Sequence, residues 1–200
     1  MIIEIEGIDG VGKTTQCRLL KNWLESQRER SVIVKDLDST RLGRQLKSFL
    51  TAEAVCSKEV ELFAFLCCKA HMFSTVVRRE VNKGSHIICD RGTGSFLSYF
   101  EVSGFSSDFL KEALSVALPR PYGPVTILID ADVQKALRQN MSKPNYSKFD
   151  NAGSAFFEKQ RLSYQYLARA GQWYVIDGNG SVEDVYESMI DIVRRLIHLK

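Results

Sequence analysis

The residues best suited to chemistry lie near the amino terminus, in GIDGVGKT at 7–14. Their spacing is G-x-x-x-x-G-K-T. Glycines at these intervals let successive backbone N–H groups curl around an anion, and a helix starting there adds positive potential at its amino terminus. The backbone of Gly7, Gly10, Val11, Gly12, Lys13, Thr14 and Thr15 is therefore a candidate cradle for the phosphates of a nucleoside triphosphate. Lys13 would reach the outer phosphates, and the Thr14 hydroxyl would serve a Mg2+ ion bridging them. One residue fits an anion site poorly: Asp9 puts a carboxylate inside the loop.

These residues need a scaffold, and the apolar pattern supplies one. Short β-branched runs at 2–6, 31–37, 86–90, 125–131 and 173–178 read as strands. Helical spacing occupies 14 to about 28, with Leu19, Leu20, Trp23 and Leu24 on one face, then 41–51, 57–82 and 182 to about 198. Nearly continuous apolar strands alternating with helices predict an α/β fold, a parallel five-stranded sheet covered on both faces. Ligands in such sheets bind beyond the carboxyl ends of the strands, where Asp90, Arg91 and Asp130 fall. With no repeat, low-complexity tract or linker, one domain over 1–200 is expected. The polar stretch NMSKPNYSKFDNAG at 140–153 has no apolar periodicity, and a loop of that length is usually functional or disordered.

Composition narrows the function. A net charge of +3, with 26% charged residues and no basic block, argues against a nucleic-acid polymer as partner and points to small phosphates. The terminus MIIEIEG carries acids where a secretory leader carries bases, and no apolar run is expected to span a bilayer. Five cysteines, none in a Cys-x-x-Cys pair, fit a reducing compartment, so a cytoplasmic protein is expected. Cys67, Cys68 and His71 read as small side chains on a buried helix face rather than as a zinc site.

Taken together, the motifs resemble the thymidylate kinase family. EGIDGVGKTTQ (6–16) is similar to that family's P-loop, with Asp9 at a position holding an acid there. FLCCKA (65–70) aligns with its Phe-x-x-x-Arg-Ala segment and CDRGTGSFLSY (89–99) with its Asp-Arg-Tyr-x-x-Ser-x-x-Ala-Tyr motif. VIDGNGSVEDV (175–185) resembles its last strand and turn, near the adenine. The resemblance implies a three-layer P-loop NTPase fold with a lid over 140–153, and transfer of the γ-phosphoryl of ATP to dTMP with Mg2+. It implies Asp9, Lys13 and Arg91 as catalytic residues, with Asp9 facing the acceptor sugar. Asp90 would hold Mg2+ through water; its alternative is a cap for the helix beginning near Thr93. Phe65, Lys69, Arg91, Ser95, Tyr99 and Asp36 would line the acceptor side. Arg138, Lys143 and Lys148 would serve the lid, and Asn179 the adenine side. A homodimer is also implied, for which Trp23, Phe96 and Phe100 are apolar candidates.

The sequence departs from the family pattern on the acceptor and lid sides. Gly92 stands for the aromatic after Asp-Arg, Lys69 for an arginine, Phe100 for a polar residue and Asp36 for a glutamate, and Lys148 occupies the lid's arginine position. These departures leave two other readings open. One is a kinase for a nucleoside or another (deoxy)nucleotide, and the other is a nucleotide-binding regulatory module without transfer.

Overall fold

The computed structural model describes residues 1–52, 56–119, 121–141 and 153–198. Five strands form one parallel sheet in the order β2-β3-β1-β4-β5. They are β1 (Ile2–Glu6), β2 (Ser31–Val34), β3 (His86–Asp90), β4 (Val125–Asp130) and β5 (Tyr174–Asp177). Parallel neighbours require crossover helices, and these supply the covering layers. They are α1 (Lys13–Ser26), α2 (Arg41–Ala52), α3 (Lys58–Met72), α4 (Arg78–Asn82), α5 (Thr93–Val102), α6 (Ser107–Ala117), α7 (Val133–Met141), α8 (Gly153–Gly171) and α9 (Val182–His198). The expected α/β sheet is present. The second strand is shorter than its apolar run, because the chain turns at 35–39, where the Ser39 hydroxyl accepts from Lys35 N–H.

Central β1 is flanked by β3 and β4, with Ile3 beside Ile88 and Glu4 beside Cys89. Side chains alternate across a strand, so the two faces of β1 differ in chemistry. Ile3 and Ile5 join Ile88, Cys17, Leu20 and Leu24 of α1, and Met189 and Val193 of α9, in the main core. Complete burial of each such aliphatic side chain stabilises the fold by about 1.5–3 kcal/mol. The opposite face of β1 carries Glu4 and Glu6, both fully buried.

The helical periodicity at 57–82 continues unbroken from Lys58 to Asn82, except that Phe73–Val77 is wound as a π-helix. The wider turn keeps Met72, Phe73 and Val77 on one buried face, packed with Val34, Ile87 and Cys89. This 25-residue helix corrects one expectation: by length and composition it is apolar enough to cross a membrane. Of its most apolar stretch 44% is buried inside the fold, and Glu61 and Lys69 of the same helix are buried too. The cysteines also divide differently from the expected buried face. Cys68 is buried, and burial pushes its thiol up to about 12, whereas Cys67 is exposed.

Candidate active site

The turns that follow β1, β3 and β5 converge with α7 on a cavity of about 340 Å³ at the carboxyl edge of the sheet. Gly7 (φ 140), Gly10 (φ 98) and Gly12 (φ 90) carry the loop through conformations that side chains resist, so the spacing seen in sequence is a backbone requirement. At Gly10 a Cβ would also run into the backbone carbonyl of Ala136 in α7. Asp9, Gly10, Val11, Gly12, Lys13, Thr14 and Thr15 all line the cavity. The Lys13 ammonium donates to the carbonyls of Gly7 at 2.8 Å and Ile8 at 2.7 Å, bracing the loop from within. Burial, reinforced by the nearby Arg91 charge, pushes this ammonium down to about 7.

The unexpected acid in the loop has a partner across the site. Asp9 accepts from the Arg91 guanidinium and lies 3.9 Å from Lys13. Its charge is therefore offset by two cations, and it ties the turn after β1 to the turn after β3. Arg91 sits at φ 80, a left-handed conformation rare for a residue with a side chain and typical of functional turns. Its second guanidinium nitrogen donates to Ser95 Oγ at 3.3 Å.

Asp90 occupies the end of β3. Its Oδ2 accepts from Thr14 Oγ1 at 2.7 Å and from Lys35 at 3.3 Å. Burial would raise this carboxyl, but Lys35, the Thr14 hydroxyl, Arg91 and Lys13 together hold it below its ordinary value. Asp90 Oδ1 is buried with no hydrogen-bond partner among the described residues. A hydroxyl and an ionised carboxylate with a spare buried oxygen form the donor set a hard divalent cation takes, directly or through water, so the residues fit Mg2+. The alternative for Asp90, a helix cap, does not hold, because its Oδ2 is taken by Thr14 and Lys35 and the first N–H groups of α5 go to other carboxylates.

The amino terminus of α5 is satisfied from the sheet instead. Glu6 accepts from the N–H groups of Gly92 and Ser95, each at 2.9 Å, and from the Ser95 hydroxyl. Burial and the neighbouring Glu4 push the Glu6 carboxyl up, only partly countered by the Ser95 hydrogen bonds and Arg91. Ser95 also meets Tyr164 OH at 2.8 Å.

The remaining acceptor-side candidates form two groups. Lys69 is buried and donates to both Asp36 oxygens, at 3.1 and 2.9 Å, and to the Gly92 carbonyl at 3.3 Å. Lys69 and Asp36 are therefore partnered with each other. Farther along α3 and α5, Phe65 meets Phe100 edge-on at 6.0 Å, and Tyr99 OH donates to Glu61 at 2.9 Å while accepting from Lys58. Phe100 is buried among Phe65, Phe96, Tyr99 and Phe105, which accounts for an aromatic at this position. The same burial removes Phe96 and Phe100 as dimer-contact candidates: they are only 3% and 1% exposed.

On the far side, Arg138 is exposed on α7, while Lys135 and Gln139 of that helix line the cavity. Lys135 donates to the carbonyls of Gly178, Asn179 and Gly180, holding the turn after β5. The Asn179 side chain accepts from Asp132 N–H at 2.9 Å. Asp130, also at a strand end, is held by Arg161 through both oxygens. Lys143 and Lys148 lie outside the described residues. Sequence reasoning did not single out Lys35, Lys135, Glu4 or Glu6. Lys35 interrupts the run at 31–37, and Glu4 and Glu6 alternate within the one at 2–6, a signal that could have found these three.

A sequence profile described as thymidylate kinase matches residues 5–189. The chain belongs to the thymidylate kinase family. It is accordingly an ATP-dependent phosphotransferase. It is similar to a probable thymidylate kinase of Pyrococcus abyssi, 31% identical over 198 residues, spanning 96% of this chain and 95% of that relative. A thymidylate kinase of Thermosipho melanesiensis is 29% identical over 199 residues, spanning 98% of this chain and 99% of its own. One of Fervidobacterium nodosum is 27% identical over 197 residues, spanning 96% of this chain and 98% of its own. The likeness to the thymidylate kinase family thus extends over nearly the whole chain.

Proposed function

We propose that the protein transfers the γ-phosphoryl of ATP to dTMP, giving dTDP. The observation that carries this reading is the Asp9–Arg91 pair: it joins the phosphate cradle to the β3 turn in a chain of the thymidylate kinase family. Phosphoryl transfer asks a protein for alignment and charge neutralisation rather than covalent steps. The N–H groups of residues 10–15 receive the ATP phosphates, and Lys13 swings from the Gly7 and Ile8 carbonyls to the transferring group. Arg91 grips the acceptor phosphate with a guanidinium fork, while Asp9 holds that fork in place. Thr14 and Asp90 would hold Mg2+, which would supply neutralisation of phosphate charge. Lys35, beside Asp90, adds a cation on the acceptor side. Asp36 and Lys69 act as a mutually paired unit shaping the acceptor floor, and Phe65 and Tyr99 flank the base and sugar. Arg138, Lys143 and Lys148 serve a lid, and Asn179 the adenine turn. The cytoplasm is the proposed location.

A homodimer is retained as part of the proposal. With Phe96 and Phe100 buried, the exposed Phe63 and Val60 of α3 support it better, and sedimentation of Phe63→Glu against the parent chain tests it.

The functional test is incubation with Mg·ATP and a panel of nucleosides and monophosphates, following ADP and the phosphorylated product. Turnover of dTMP but not thymidine is expected. Thymidine turnover in its place, or ATP binding with no acceptor-dependent ADP, would overturn the reading.

A further inference from the structure

Glu4 is fully buried in the central strand, yet no part of the reaction described above uses it. Its Oε1 accepts from Thr93 N–H at 2.9 Å and Tyr122 OH at 2.6 Å. Its Oε2 accepts from the Thr93 hydroxyl at 2.8 Å and the Thr126 hydroxyl at 3.4 Å. A buried carboxylate is costly unless its lone pairs are filled, and here four donors converge on it. Two of the four belong to Thr93, the first residue of α5 and the second after Arg91. Gly92 lies between them, at φ −127 and ψ −140. The space around it is closed to a side chain. A Cβ at position 92 would fall inside the Glu4 carboxyl group, which cannot withdraw without breaking its hydrogen bonds.

We propose that Glu4 is a positioning residue for the acceptor phosphate: it anchors Thr93, thereby fixing the turn that holds Arg91 against Asp9, and it is matched to the missing side chain at Gly92. The proposal rests on the reading of Arg91 as the acceptor-phosphate group. Glu6 grips the same turn through Gly92 N–H and Ser95. Two carboxylates spaced i and i+2 on one strand thus secure a backbone segment that includes a residue in a strained conformation. Neither carboxylate needs to meet substrate. Glu4 acts through main-chain geometry, and misplacing a phosphate-gripping guanidinium by an ångström costs on the order of a hundredfold in rate.

The test measures steady-state kinetics for dTMP and ATP, together with ATP binding by calorimetry, for Glu4→Ala, Glu4→Gln, Gly92→Ala and the double variant Glu4→Ala/Gly92→Ala. Glu4→Ala should lower kcat/KM for dTMP on the order of tenfold to a hundredfold, leaving ATP affinity within about twofold. Glu4→Gln keeps the shape and can still accept from Thr93 N–H, so it should restore most of the loss. Gly92→Ala should lose dTMP turnover, and the double variant should be no worse than Glu4→Ala alone. Wild-type dTMP kinetics in Glu4→Ala would overturn the proposal. So would equal losses toward ATP and dTMP, or single losses that simply multiply in the double variant. If Glu4→Ala fails to fold, Gly92→Ala and Glu4→Asp/Gly92→Ala replace it. Recovery with the shorter carboxylate supports the match, and no recovery overturns it. Arg91→Ala runs in parallel: unimpaired dTMP turnover there removes the acceptor reading, whereas a lost Arg91→Ala beside an unaffected Glu4→Ala removes only the positioning role.

Discussion

The two halves of the site are built from different materials. The proposed donor side is main chain: glycines at positive φ, N–H groups at the start of α1, and one lysine braced on its own loop. The proposed acceptor side is side chain, a set of ionisable groups comprising the buried Glu4, Glu6, Asp36 and Lys69 with the part-buried Arg91, drawn from β1, α3 and the turns after β2 and β3. A backbone cradle serves any nucleoside triphosphate, because every residue contributes the same N–H. A network of side chains can be retuned one residue at a time. Three departures from the family pattern, Gly92, Lys69 and Asp36, meet in the second kind of material.

That contrast can be broken at several points. The largest effect should come from Lys13→Ala, which removes the only side-chain cation in the cradle motif and should lower kcat about a thousandfold for every acceptor. Rapid-quench measurement of ADP checks it. Arg91→Ala should cost on the order of a hundredfold in kcat/KM for dTMP, with ATP affinity retained, because the loss is confined to the acceptor side. Calorimetric titration with an ATP analogue separates the two terms. Gly10→Ala attacks the backbone side alone. Its Cβ meets the Ala136 carbonyl, so stability should fall by about 1–3 kcal/mol in urea melts and ATP affinity should fall with it.

The smallest effect is one of pH. The folded chain holds the Glu6 carboxyl above its ordinary 4.5, so between 4.5 and neutrality the folded state binds more protons than the unfolded one. The contribution of Glu6 to stability is therefore fully present at acid pH and is lost as pH rises through that interval. Urea midpoints across this range should fall less with rising pH in Glu6→Gln than in the parent chain.

The same contrast explains how much was legible in the sequence. Gly7, Gly12, Lys13 and Thr14 announce themselves because a backbone site needs its glycines at fixed local spacing. The sheet was legible for a similar reason, since buried parallel strands read as apolar runs. Acceptor-side partnerships were not, because Lys69 and Asp36 are 33 residues apart, and Arg91 and Asp9 are 82 apart. No local pattern encodes that Lys69 is already committed to Asp36. One clue was present in the acids of IIEIE: on a strand flanked by neighbours on both sides, Glu4 and Glu6 must both point into protein and need donors there. Phe96 and Phe100, offered as contact residues for a second copy, show the opposite limit, because an aromatic stripe on a helix reads alike whether it faces a core or a partner.

The π-wound segment Phe73–Val77 has a consequence for how this chain can vary. Its wider turn holds one residue more than a regular α-turn, so losing one residue there would restore regular winding and leave Lys69 and Val77 on the faces they now occupy. The same loss in the regularly wound part between Lys69 and Phe73 has no such slack and would rotate one end of the helix by about 100° relative to the other, swinging Lys69 from Asp36 or Val77 from the sheet. The π-wound turn is therefore the place where this helix can shorten by a residue with its two ends still in register.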